Sequence, residues 1–157
     1  MVTLPRVIIE ELRERASRAG VTIEEYLLDL LMRDADPVES AGKYLEGARE
    51  LLEQARQELE GGDLRWSSGK IWGACALAIK AYALAKENLV LKSHRDLWVY
   101  KNKVAEELGE WVRTVFRQAD SMHKNFYEGL ATKEDVEDVL KEVGKLVSVV
   151  ARTIQKD

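Results

Sequence analysis

The chain has 157 residues, with 24 Lys and Arg against 28 Asp and Glu, for a formal net charge of −4. That length suits one compact domain, or one domain with a small extension, and buries roughly 70% of its unfolded surface without help from a disulfide or a metal. A lone cysteine, Cys75, excludes a disulfide framework and a cysteine zinc cage, and only two histidines, His94 and His123, exclude a multi-histidine metal site. No metal and no cofactor is therefore expected. The opening Met1 to Pro5 lacks the charged-then-apolar pattern of a signal peptide, and no uncharged apolar run approaches the roughly 20 residues of a membrane span. A soluble protein of the cytoplasm, without a membrane partner, is the expectation.

Helical periodicity fills nearly every stretch between glycine breaks. A first helix is predicted from about Pro5 to Ala19, with Ile8, Ile9, Leu12 and Ala16 on one face and Gly20 as its stop. Thr22 and Glu25 form a capping box that opens a short second helix, with Leu27, Leu30 and Leu31 expected inward. Asp36 and Pro37 start a third helix to Glu60. Its seam of Val38, Ala41, Leu45, Ala48, Leu52, Ala55 and Leu59 keeps a three-four spacing, the pattern of a helix packed lengthwise on another.

The fourth helix, about Leu64 to Glu87, is apolar or small nearly all round from Ile71 to Ala85, broken only by Lys80. A helix without a polar face is surrounded by others, so this is predicted to be the centre, with Cys75 as a small core residue. A fifth helix from about Ser93 to Leu108, a sixth from about Glu110 to Glu128 and a last one capped by Thr132 complete the chain. Short connections make neighbours antiparallel. The fold class is all-α: an antiparallel bundle of four to five core helices (residues 36–157) preceded by a helical hairpin (residues 1–35).

Charge is uneven. Residues 62–105 carry eight basic side chains against three acidic ones, with Trp66, Trp98 and Tyr100 interleaved. Cations set among aromatics suit single-stranded RNA, whose bases stack on rings while phosphates meet cations. Lys92, His94, Arg95, Trp98, Lys101, Asn125 and Tyr127 are the candidate RNA or nucleotide contacts. The alternative is that the aromatics are core and the lysines a solvated face.

Gly62-Asp63 followed by the small-residue helix Trp72 to Lys80 resembles the first helix pair of HEPN domains. The block His123-Lys-Asn-Phe-Tyr-Glu128, with Ser93-His94-Arg95 and Leu97-Trp98, resembles an archaeal HEPN subgroup, the PaREP family. The likeness spans about residues 37–157. A charge-rich chain with only four Gln and three Asn is compatible with a hyperthermophilic source. The resemblance implies a bundle that is usually dimeric. Many HEPN domains are metal-independent ribonucleases, and others are inactive or are partners of nucleotidyltransferases in toxin–antitoxin pairs.

The HEPN ribonuclease signature, an arginine and a histidine separated by four to six residues, falls on Arg117 and His123, with Asp120 midway. An imidazole that exchanges a proton near neutrality and a guanidinium that holds a phosphate could together let the RNA 2′-hydroxyl attack without a metal. On one straight helix, however, Arg117 and His123 point roughly 120° apart, so they meet only at a kink or across two chains. Asp120 could pair Arg117 or orient His123. The plainer alternative is an exposed Arg117–Asp120 salt pair, with His123 on the helix surface.

The first 35 residues resemble a ribbon-helix-helix unit. Five basic against seven acidic side chains oppose DNA reading and favour packing or dimerisation. Three function classes follow: a dimeric HEPN-like ribonuclease, a non-catalytic HEPN module binding a nucleotide, RNA or companion protein, and a DNA-binding regulator.

Overall fold

The computed structural model describes residues 3–155. Seven helices appear among the described residues: α1 (Arg6–Ala19), α2 (Ile23–Leu31), α3 (Pro37–Glu60), α4 (Leu64–Glu87), α5 (His94–Leu108), α6 (Trp111–Glu128) and α7 (Lys133–Gln155). There is no strand among the described residues, and Thr3 to Pro5 is irregular. Val2 of the expected ribbon lies outside the described residues.

The caps lie where the sequence puts them. Thr22 accepts from the Glu25 N–H while the Glu25 carboxylate accepts from the Thr22 N–H. Asp36, Asp63 and Ser93 cap α3, α4 and α5 through their side chains. Thr132 and Asp135 exchange the same reciprocal pair at α7. Each satisfies amides that a helix start otherwise leaves unpaired.

α4 is the axis of the bundle. Every residue from Ile71 to Leu84 is buried, including Cys75, whose thiol burial pushes far up, out of the range of a nucleophile. α3 lies along it, with its predicted seam buried except Val38. The approach is close: a Cβ at Gly73 would stand 3.0 Å from Leu51 Cδ1. α6 and α7 pack on the other sides of α4, and α5 bridges α4 and α6. Along α7, Val136, Val139, Val143, Leu146 and Val150 of the three-four seam are buried and Ile154 is half-buried.

α2 departs from expectation. Leu30 and Leu31 face solvent, and the inward residues are Glu25, Leu28 and Asp29. The reason is Lys80, buried in α4. Its ammonium lies 2.8 Å from Asp29 Oδ2 and 3.6 Å from Glu25 Oε1, and the Tyr44 hydroxyl donates to Asp29. A buried ammonium needs carboxylates, so the charged i, i+4 face of α2 turns inward, Leu30 and Leu31 turn out, and Leu27 is left half-buried. The hairpin is thereby fixed to α4 through the Lys80 ion pairs, and to α3 through the Tyr44–Asp29 hydrogen bond and Leu28.

Candidate functional site

Beside the α1–α2 turn the bundle leaves a groove of about 380 Å3. One side is α1 and the turn: Arg13, Ala16, Ser17 and Val21 to Glu24. The other is α4 and α6: Trp66, Gly69, Lys70, His123, Phe126 and Tyr127, with Leu51 of α3 beneath.

The wall is a ladder of rings. Trp66 and Phe126 meet edge-on at 5.2 Å between centroids, Phe126 and Tyr127 at 5.0 Å, and Tyr127 and His123 at 5.9 Å. Its ends are open: Trp66 is 53% and Tyr127 68% exposed. Two features place the ladder. Gly69 lets α6 come so near that a Cβ there would stand 2.9 Å from Phe126. Arg65 donates to the carbonyls of Phe126 (2.8 Å) and Tyr127 (3.3 Å), holding the end of α6, which turns at Gly129 with φ +65°.

His123 is the floor, half-buried against Trp72 at 5.4 Å and stacked on His94 at 5.6 Å and 28°. Burial, then the neighbouring His94, hold its imidazole below the ordinary value, with Lys124 adding to this and Asp120 opposing it. It is therefore neutral at neutral pH, able to donate or accept a hydrogen bond, or to take a proton when an anion approaches.

Behind the floor lies a polar knot. Trp98 Nε1 donates to His94 Nε2 at 2.9 Å, while Asp120 Oδ1 stands 3.1 Å from the same nitrogen. One nitrogen cannot both accept from an indole and donate to a carboxylate. With Trp98 as donor, Asp120 Oδ1, His94 Nδ1 and Trp72 Nε1 are buried and unpartnered among the described residues. Lys124, 3.8 Å from Asp120 Oδ2, supplies partial compensation at the surface.

The residues named from sequence divide accordingly. His123 and Tyr127 line the groove; His94, Trp98 and Asp120 support it from behind. Asp120 does not form the exposed salt pair with Arg117, because it is buried on the α5 side against His94. Arg117 is exposed, makes no hydrogen bond or ion pair among the described residues, and its charge is felt by Lys101 and Glu110 rather than by His123. Lys101 is buried: its ammonium donates to the Trp98 carbonyl at 2.8 Å and lies 4.4 Å from the Trp98 ring centroid, and burial lowers its pKa. Asn125 is buried too, donating to Ser68 Oγ (2.9 Å) and accepting from the Ala131 N–H (2.7 Å). Lys92 and Arg95 are exposed at the start of α5, outside the groove lining.

Sequence reasoning missed Phe126, Lys70 and Arg13 as groove residues. Phe126 read as part of the His123 to Glu128 block. Lys70, paired with Glu58 at 2.7 Å, read as part of a basic segment. For Arg13 a signal existed in the charge pattern of α1.

Among the described residues no group of three or more His, Cys, Asp or Glu side chains could hold a metal ion, and no helix is long and apolar enough to cross a membrane. Residues 32–147 match the family model described as the archaeal PaREP1/PaREP8 family. No curated protein and no solved structure matches the chain.

Proposed function

The chain belongs to the archaeal PaREP1/PaREP8 family, and we propose that it is a HEPN-like, nucleic-acid-associated module that binds a nucleotide, free or within single-stranded RNA, in the groove floored by His123. The observation that carries this reading is the exposed ring ladder of Trp66, Phe126 and Tyr127 along that groove. Monomeric proteins seldom leave such rings open without a partner for them. Each base has a π-face that stacks on an aromatic side chain, worth about 1–3 kcal/mol per base. His123 at the floor offers one hydrogen bond to a base edge or a phosphate.

Binding is favoured over cleavage. The HEPN reaction needs the arginine and the histidine in one cleft, and within this chain Arg117 lies outside the lining of the groove that holds His123. Cleavage would require a second copy to bring its own Arg117 to the groove.

Fluorescence anisotropy with a labelled single-stranded RNA heptamer tests the reading. Wild type binds, Trp66→Ala and Tyr127→Ala each lose about tenfold or more, and the RNA stays intact without added metal. Equal affinity in both variants overturns the groove assignment. Metal-free cleavage abolished by both Arg117→Ala and His123→Ala would replace binding with the ribonuclease reading.

A further inference from the structure

α1 carries four arginines among the described residues, and three of them are held by glutamates four residues away. Arg6 pairs with Glu10 at 2.8 Å, Arg15 with Glu11 at 2.8 Å, and Arg18 with Glu14. Arg13 has Ile9 and Ser17 at those distances along the helix. It makes no hydrogen bond or ion pair among the described residues, and it is the one arginine of α1 that lines the groove. Resting on the nucleotide reading above, we propose that Arg13 is the phosphate-binding residue of the groove, and that the N-terminal hairpin serves to present it.

A planar guanidinium not neutralised by a carboxylate grips two phosphate oxygens at once, which a lysine cannot do. The hairpin holds it steadily, because α2 is tied to α4 by the Lys80 ion pairs with Asp29 and Glu25. Ser17, one turn on from Arg13, and Thr22 of the turn line the same side. The base then lies along the ladder of Trp66, Phe126 and Tyr127, and the phosphate turns toward α1.

Lining charge sets the ligand class. Arg13 is the one free cation of the lining among the described residues. Lys70 is already paired with Glu58, and Glu24 adds a negative charge at the groove edge. That balance suits a single phosphate, a nucleoside monophosphate or one phosphodiester of a strand, and disfavours a triphosphate. Arg13 also lies before residue 32, outside the part of the chain that matches the family model.

Calorimetric titration of the full chain with adenosine, adenosine 5′-monophosphate, adenosine 5′-triphosphate and the dinucleotide ApA tests this. Wild type prefers the monophosphate to adenosine by about tenfold or more. Arg13→Gln, an exposed substitution that leaves the melting curve in place, erases that preference while keeping adenosine affinity; Arg117→Gln changes neither. ApA binding above the monophosphate identifies a strand as the source of the phosphate, and the reverse identifies a free nucleotide; in both cases Arg13→Gln removes the gain. A phosphate preference that survives in Arg13→Gln, or a triphosphate bound best, overturns the proposal and leaves the groove reading standing. Binding of none of the four ligands by wild type overturns the groove reading and the proposal with it.

Discussion

Replacing Lys80 by methionine keeps the aliphatic stem in the middle of α4 and removes the ammonium. Lys80 is 1% exposed and Glu25 fully buried, so the Glu25 carboxylate would lose its cation in a site away from bulk water. Asp29 keeps the hydrogen bond from Tyr44, but Glu25 keeps only its cap to the Thr22 N–H, and its Oε1 has no hydrogen-bond donor. Removing one partner of a buried pair costs about 3–5 kcal/mol, because the other charge is left uncompensated. At about 2–4 °C per kcal/mol for a chain of this size, the midpoint falls by about 6–20 °C. Burial already pushes the Glu25 carboxyl up, with Lys80 the largest influence against it. The loss therefore shrinks as pH is lowered and Glu25 takes a proton. Thermal and urea denaturation of Lys80→Met, Glu25→Gln and the double variant, followed by circular dichroism, measure it. The double variant recovers part of the loss, since contacting residues couple by about 0.5–3 kcal/mol. A single-variant loss below about 1 kcal/mol, or strict additivity, refutes the buried ion pair as the clasp of the hairpin.

Three further outcomes follow from the geometry. His123 has its pKa lowered on folding, by burial first. Between its folded value and the ordinary value of about 6.5 the unfolded chain holds the extra proton, so its contribution is complete above the ordinary value and is lost as pH falls toward the folded one. Urea midpoints measured across acidic to neutral pH should show this slope, and His123→Gln should reduce it. Gly69→Ala drives a methyl to 2.9 Å from Phe126, costing about 1–3 kcal/mol of stability and weakening RNA binding by displacing the ladder, as denaturation and anisotropy together will show. Arg117→Ala changes stability by less than about 0.5 kcal/mol, because Arg117 makes no bond among the described residues; a larger loss by denaturation would mean a contact that this fold does not contain.

The helices and their caps were legible because each rests on local chemistry. The three-four seam of α3, the small-residue run of α4 and the Thr22–Glu25 box act within a few residues of themselves. α2 shows where local reading stops. Its leucines look like the inward face until Lys80, 51 residues away from Asp29 in sequence, demands carboxylates. The site was half legible for the same reason. His123, Tyr127 and Asp120 lie within eight residues of one another on α6 and His94 opens α5, but the groove exists only because α1 comes to lie opposite α6. Arg117 and Asp120, three residues apart, read as partners on a helix surface. Tertiary packing instead buries Asp120 against His94 and leaves Arg117 outside. Arg13 was readable in principle, since it breaks the four-residue Arg–Glu spacing of α1, but nothing local says what the gap is for.

Chemical-shift mapping with adenosine 5′-monophosphate on the 15N-labelled chain reads the nucleotide groove residue by residue. Concentration-dependent shifts are expected for the Trp66 indole N–H, the His123 ring and the backbone amides of residues 13, 17 and 22, with the amides around Arg117 unmoved. Shifts centred on Arg117 and the start of α5, or none at saturating nucleotide, would contradict the groove assignment.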